Sequence, residues 1–185
     1  MNKKVKYLVN IIKNNIGAVA FINLVLAGTA LLKDIFLAAY LGTSHEADAL
    51  TLAFFLPDSI GNNLFAASVA TASIPILSAL LEKKDLRRFN AAIRNIILFV
   101  IAVSSFLALL FAFFKTPVIN TLGKGLGSNV KILCMNLFIV LLPTFILFPV
   151  AATGYAVMNS KNRFKLPAFV PVLFNAILLG AVLYG

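Results

Sequence analysis

The chain has 185 residues, 61% of them hydrophobic, and a mean hydropathy of +0.99. A soluble domain is about 45–50% apolar, so composition places this protein in a membrane. The net charge of +10 sits in short basic clusters between apolar runs. Nothing resembles an RNA- or DNA-binding module, which excludes nucleic acid as a partner. The clusters read instead as topology determinants and contacts to anionic membrane lipid.

The apolar runs are continuous and lack the alternating ten-residue pattern of a membrane barrel, so an all-α membrane protein is expected. The start, MNKKVKYLVNIIKNN, is basic. It has no compact apolar core followed by a cleavage site, so it leads into an uncleaved first span. About 20 apolar residues cross a bilayer as a helix, and five spans are predicted. They run Ile16–Leu41, Ala47–Leu81, Ala92–Phe114, Ile132–Met158 and Pro167–Gly185. All 185 residues are read as one transmembrane domain.

Twelve of the sixteen basic residues fall on one side of these spans: Lys3, Lys4, Lys6, Lys13, Lys83, Lys84, Arg87, Arg88, Arg94, Lys161, Arg163 and Lys165. Lys115, Lys124 and Lys131 fall on the other. That asymmetry puts the N-terminus in the cytoplasm and Gly185 outside. An odd helix count and an abrupt end at Leu183-Tyr184-Gly185 suggest part of something longer.

The second span is too long for one straight crossing, and Pro57, Gly61-Asn62-Asn63 and Pro75 punctuate it. Two readings stay open: a broken helix that exposes backbone to a cavity, or an ordinary proline kink. Small residues at 27–30 and 66–73 read as close helix packing. Cys134 reads as a packing residue. The stretch Gly123–Ser128 reads as a flexible outer loop without phosphate-loop spacing.

No catalytic set can be assembled. His45 is the only histidine, and metal-ligand spacing is absent. The chemistry-bearing candidates are polar groups within membrane sequence: Lys33, Asp34, Asp48, Asp58 and Asn62. An ionisable group at bilayer depth costs at least about 2.5–3.5 kcal/mol. It usually faces a bundle interior or a water-filled cavity. Lys33 and Asp34 are adjacent and point about 100° apart on a helix, so they are not automatically a pair. Asp48 follows Glu46 at a helix start, where capping is an equal reading.

The pattern LLKDIFLAAYLGTSHEADALTLAFFLPD, with Phe65 and Ile74-Pro75-Ile76-Leu77, resembles the N-terminal signature of the MurJ/MviN family. The stretch NRFKLPAFVP with Asn175 is similar to that family's motif at the start of the fifth helix. These are lipid II flippases of the multidrug/oligosaccharidyl-lipid/polysaccharide exporter superfamily. The resemblance implies that this chain supplies helices one to five of an N-terminal lobe. A C-terminal lobe in the same or a partner chain would complete the cavity.

It also implies alternating-access transport of a polyprenyl-linked saccharide across the bacterial cytoplasmic membrane. An ion gradient or membrane potential would drive the cycle, without a cofactor. The resemblance places Lys33 as a contact to the lipid headgroup, with Asp34 and Asp48 orienting it or coupling it to gating. Asp58 and Asn62 join the candidate substrate-binding or gating set.

The chain departs from the family pattern at cavity positions. Ala27 stands where the family usually has Arg, Gly61-Asn62 where it has Arg-Arg, and Lys33 where it has the Arg of an Arg-Asp pair. Ala66-Ala67 stands for its Glu-Gly, while Asp48 is retained. Lysine cannot reproduce the bidentate grip of arginine on phosphate. Export of another lipid-linked saccharide and a non-transporting membrane paralogue therefore stay open.

Overall fold

The computed structural model describes residues 3–42 and 44–184, with side chains over 17–42, 44–180 and at Leu183. The side chains of Lys3, Lys4, Lys6 and Lys13, expected to set topology, lie outside the described residues, as does Gly185. The described residues form helices and turns, with no strand among them. Contacts group the chain into two compact units.

The first unit is α1 (Lys3–Leu41) and α8 (Lys165–Tyr184), which pack on each other. Gly42 ends α1 at φ +58, and its N–H donates to Ala38 O at 2.8 Å. That left-handed cap suits glycine, which carries no Cβ to strain. Pro167 sits in the first turn of α8, where its missing N–H costs nothing.

The second unit runs from Thr43 to Lys161. It opens on α2 (His45–Leu56), whose N-cap Ser44 Oγ accepts from the Ala47 N–H at 3.2 Å. A π-helical stretch follows (Pro57–Ala66), then α3 (Ala67–Glu82). The expected break at Pro57 is not found: the helix continues, widened over ten residues.

Next is α4 (Leu86–Phe113), which begins six residues before the expected Ala92. Asp85 caps it by accepting from the Arg88 N–H at 3.0 Å, so the helix can start in polar sequence.

Between the third and fourth expected spans lies a short helix, α5 (Lys115–Leu122). The glycine-rich loop after it is packed at its first residue, whereas Gly125, Gly127 and Ser128 are exposed. Gly123 is buried, and its N–H donates to Ile119 O at 2.8 Å. A Cβ there would stand 3.0 Å from Leu52 Cδ2, so close approach requires glycine. Leu126 turns back to donate to Gly123 O at 3.0 Å.

The fourth expected span is two helices, α6 (Ser128–Leu141) and α7 (Thr144–Ser160), parted at Leu142-Pro143. Proline lacks the N–H that would carry α6 onward.

One core cluster joins Ala49, Ala53 and Leu56 to Ile119, Val130, Cys134, Phe138 and Phe145. A second joins Leu77, Phe89 and Ala156. Cys134 is fully buried in the first cluster, consistent with a packing role. The segments Gly17–Leu41, His45–Glu82, Leu86–Phe113 and Ser128–Ser160 are each long and apolar enough to cross a membrane, and a shorter apolar helix covers Lys165–Gly180. This is an all-α, multi-pass membrane protein.

Candidate functional site

In the first unit, Lys33 Nζ lies 2.9 Å from Asp34 Oδ1 on α1. Adjacency does not prevent the pair, because the four-carbon lysine stem bends the ammonium back over its neighbour. The Lys33 side chain is 23% exposed and that of Asp34 64%. The lysine is thus the better sheltered partner. Its ammonium has three donors, so further donors remain for an anion. About two turns earlier on α1, Ala27 is exposed and a Cβ on Gly28 would meet nothing within 4 Å. An arginine at 27 would have room.

The second unit holds Asp48, Asp58 and Asn62. Asp48 is exposed in the first turn of α2. There an acid complements the positive end of the helix, so its position fits capping. Asp58 is different. Its Oδ1 accepts from Asn62 Nδ2 at 3.0 Å, and its Oδ2 accepts from Asn63 Nδ2 at 3.1 Å.

The second bond depends on the π stretch. In an α-helix, a residue five positions on lies about 140° around the axis, beyond reach of the carboxylate. With i→i−5 bonding the next turn is wider, and Asn63 comes alongside Asp58. The backbone N–H of Ala67 donates to Asn62 O, an i→i−5 bond that closes the stretch.

Gly61 lies on the inner side of the same stretch and is buried. A Cβ there would stand 3.3 Å from Phe145 Cδ1 and 3.6 Å from Phe145 Cα. The π stretch and α7 are pressed together at this point. Two of the positions where arginine is missing thus differ: Ala27 is exposed, whereas Phe145 fills the space at Gly61.

Asn63 and Phe145 were not among the expected site residues. The sequence holds a signal for each: paired amides four and five residues after an acid, and a glycine in an apolar helix. Chemically, the first unit offers a shielded cation for an anionic group. The second offers an acid clamped by two amides. Among the described residues, no group of three His, Cys, Asp or Glu could hold a metal ion.

Residues 37–184 match the family model for lipid II flippase MurJ. Lys33 and Asp34 precede that matched range. The chain is similar to lipid II flippase MurJ of Thermosipho africanus, 27% identical over 154 residues, which is 83% of this chain and 32% of that protein. It is 27% identical over 157 residues to a probable lipid II flippase MurJ of Thermotoga maritima, covering 85% of this chain and 33% of that protein. It is 24% identical over 161 residues to lipid II flippase MurJ of Burkholderia cenocepacia, covering 84% and 31%. The chain spans about a third of the length of these relatives. No solved structure matches.

Proposed function

The chain belongs to the lipid II flippase MurJ family, and from that premise we propose that it forms part of a flippase for a polyprenyl-pyrophosphate-linked saccharide of lipid II type. The observation that carries this reading is the family match over residues 37–184. A cation held inside an apolar helix by an adjacent acid supports it. In this reading Lys33 meets the diphosphate. Asp34 competes with it, so the lysine exchanges one anionic partner for another as substrate enters and leaves. Asp48 tunes the approach from the start of α2.

A C-terminal lobe, in the same or a partner chain, completes the cavity. Access alternates between the two sides of the bacterial cytoplasmic membrane, with the N-terminus in the cytoplasm. An ion gradient or the membrane potential supplies the energy, and the chain acts as a transporter rather than an enzyme.

The test is Lys33→Ala in the full-length protein, read as lipid-linked saccharide reaching the outer leaflet in membranes. Loss of transport with normal insertion is expected. Retained transport would remove Lys33 from the role.

One observation favours a second reading, export of a different lipid-linked saccharide. Phe145 occupies the space beside Gly61 that a cationic side chain would need, so this lobe grips phosphate less strongly. A competition assay separates the two readings. Transport of lipid II that is undiminished by excess of another polyprenyl diphosphate saccharide supports the first.

A further inference from the structure

The turn from α4 into α5 borders an open groove of about 500 Å³. Ligand pockets measure about 300–1,000 Å³. One wall is a face of α5 that starts at its N-cap. Phe114, Pro117, Val118, Thr121 and Leu122 recur at the spacing of a single helix face, and all five line the groove. Leu110 and Phe111, from the last turn of α4, line it too, with the buried Leu56 of α2.

The chemistry of this surface suits hydrocarbon. Thr121 carries the one polar side chain of the lining, and its Oγ1 donates to Pro117 O at 2.7 Å. The Val118 N–H donates to Phe114 O at 3.1 Å, and the Phe114 N–H to Leu110 O at 2.9 Å. Pro117 has no N–H to offer. The hydrogen-bonding groups of this face are thus met within the chain. Its rings are also held in place. Phe111 stacks on Phe145 and Phe114 meets Phe113 edge-on, each pair with centroids 5.2 Å apart.

Lys115 stands beside this face. It is half-buried, follows Phe114 directly, and lies one turn before the buried Ile119. Among the described residues it forms no ion pair, and residues 86–185 contain no Asp or Glu. Asp58 has both carboxylate oxygens engaged by Asn62 and Asn63. Glu46 and Asp48 sit at the start of α2, about two turns or more before Leu56. A lysine stem can lie along apolar surface while its charged head reaches the polar layer. There an ammonium binds phosphate as a point charge. An apolar groove with a cation at its side matches the two halves of a phospholipid.

We infer that this groove binds one acyl chain of an anionic phospholipid of the surrounding membrane, and that the lipid phosphate pairs with Lys115. The lipid fills the space between α2, α4 and α5 and becomes part of the packing there. The site stands apart from the flippase reading, because its ligand is the bilayer itself and not a cargo.

The test uses the full-length protein in phosphatidylcholine nanodiscs that hold a small share of phosphatidylglycerol with a diazirine in one acyl chain. Irradiation and peptide mapping show where the chain is labelled. Labelling is expected to concentrate on residues 110–122, above the level on residues 98–109 of α4. The same acyl probe on a phosphatidylcholine headgroup should label residues 110–122 less. Thr121 is exposed, so Thr121→Trp can fill the groove without disturbing the core. It should remove most of the labelling of 110–122 and leave that of 98–109. Lys115→Gln should keep the labelling but lose the headgroup preference, a change of roughly fivefold for one basic residue at an anionic surface. Lys124→Gln should retain the preference.

Labelling of 110–122 that does not exceed that of 98–109, or that survives Thr121→Trp, would overturn the site. A headgroup preference that outlasts Lys115→Gln, or falls equally with Lys124→Gln, would overturn the pairing with phosphate. Labelling displaced by a polyprenyl diphosphate, but not by excess phosphatidylglycerol, would replace the phospholipid with a cargo tail and overturn the proposal. If Thr121→Trp is not monodisperse, the contrast between the two segments and the Lys115→Gln arm decide.

Discussion

Residues 45–82 and α4 are both long apolar helices of one unit, yet the exposed side of the first mixes in a run of small and hydroxyl residues that the exposed face of α4 about Phe99 and Phe106 lacks. Along α4 the exposed residues include Leu98, Phe99, Phe106, Leu109 and Phe113, the last 83% exposed. Along the second span Phe55, Leu64 and Ile76 are exposed as well, but with Asn63, Ala67, Ser68, Thr71 and Ala72 beside them. Ser68 Oγ donates to Leu64 O at 2.6 Å, and Thr71 Oγ1 donates to Ala67 O at 2.8 Å. Back-bonding of this kind lets a hydroxyl sit in a membrane helix without an outside partner.

Large apolar side chains on α4 match lipid tails, whereas small and hydroxyl side chains allow another backbone to approach. The inner sides differ as well. Four glycine- and alanine-sized positions, Ala49, Ala53, Gly61 and Ala66, are buried in the second span, whereas α4 buries Phe89, Val100 and Ser104. The second span thus has small-residue stretches on both sides where a backbone can come close, and α4 presents mainly large side chains.

The largest way to break this comparison is at Gly61. Gly61→Arg places a cation against Phe145 in a packed helix contact. An unpaired buried charge costs several kcal/mol, so the variant should lose monodisperse protein in detergent chromatography. Adding Phe145→Ala makes room and should restore part of the yield. Gly61→Arg tolerated alone would show that Phe145 does not seal this position.

Phe99→Asp is next. Phe99 is 62% exposed near the middle of α4, and an acid at bilayer depth costs about 3 kcal/mol. Insertion should fall sharply in a glycosylation-site assay. Ser68→Asp, on the contrasting exposed side, should insert nearly as well as the parent chain. Equal losses at the two sites would erase the distinction between the sides.

Much of this was legible from sequence, and the misses have physical causes. Helix and membrane character follow from uninterrupted apolar runs, which leave no other way to satisfy the backbone. The candidate polar residues stood out because ionisable groups are costly in such runs. The π stretch did not stand out, because it lies inside one uninterrupted apolar helical run and leaves no mark in composition. Ala66 and Ala67 look alike on paper, and only packing against α7 shows which faces inward. The Lys33–Asp34 pair was undecided for a related reason. Helix geometry separates adjacent Cβ directions, and the reach of a lysine stem overrides it. The short helix α5 was missed because eight residues give too little periodicity to read against a loop.

A smaller effect is expected where α4 begins. Lys161 Nζ sits 5.3 Å from the centroid of the Phe89 ring, joining the end of α7 to the start of α4. Such contacts contribute about 0.5–1 kcal/mol at exposed sites. Lys161→Gln should lower the unfolding midpoint slightly, and Lys161→Arg should retain it. No difference between glutamine and lysine would mean that the ring contact adds nothing to stability.

The smallest expected effect concerns Ser104, and its sign is informative. Ser104 is fully buried on α4, and its hydroxyl lacks a hydrogen-bond partner. Thr29, Ser68, Thr71, Thr121 and Thr153 all return their hydroxyl to a carbonyl four residues back. Ser104 does not. An unpaired buried hydroxyl is a cost, and removing it with little change of shape is close to neutral or stabilising. Ser104→Ala should therefore raise the unfolding midpoint or leave it unchanged, with a gain of at most about 1 kcal/mol. A loss of that size would reveal a hydrogen bond from Ser104 across the helix contact. It would also bring α4 closer to the second span in character, as a helix whose buried side is held by polar groups as well as by packing.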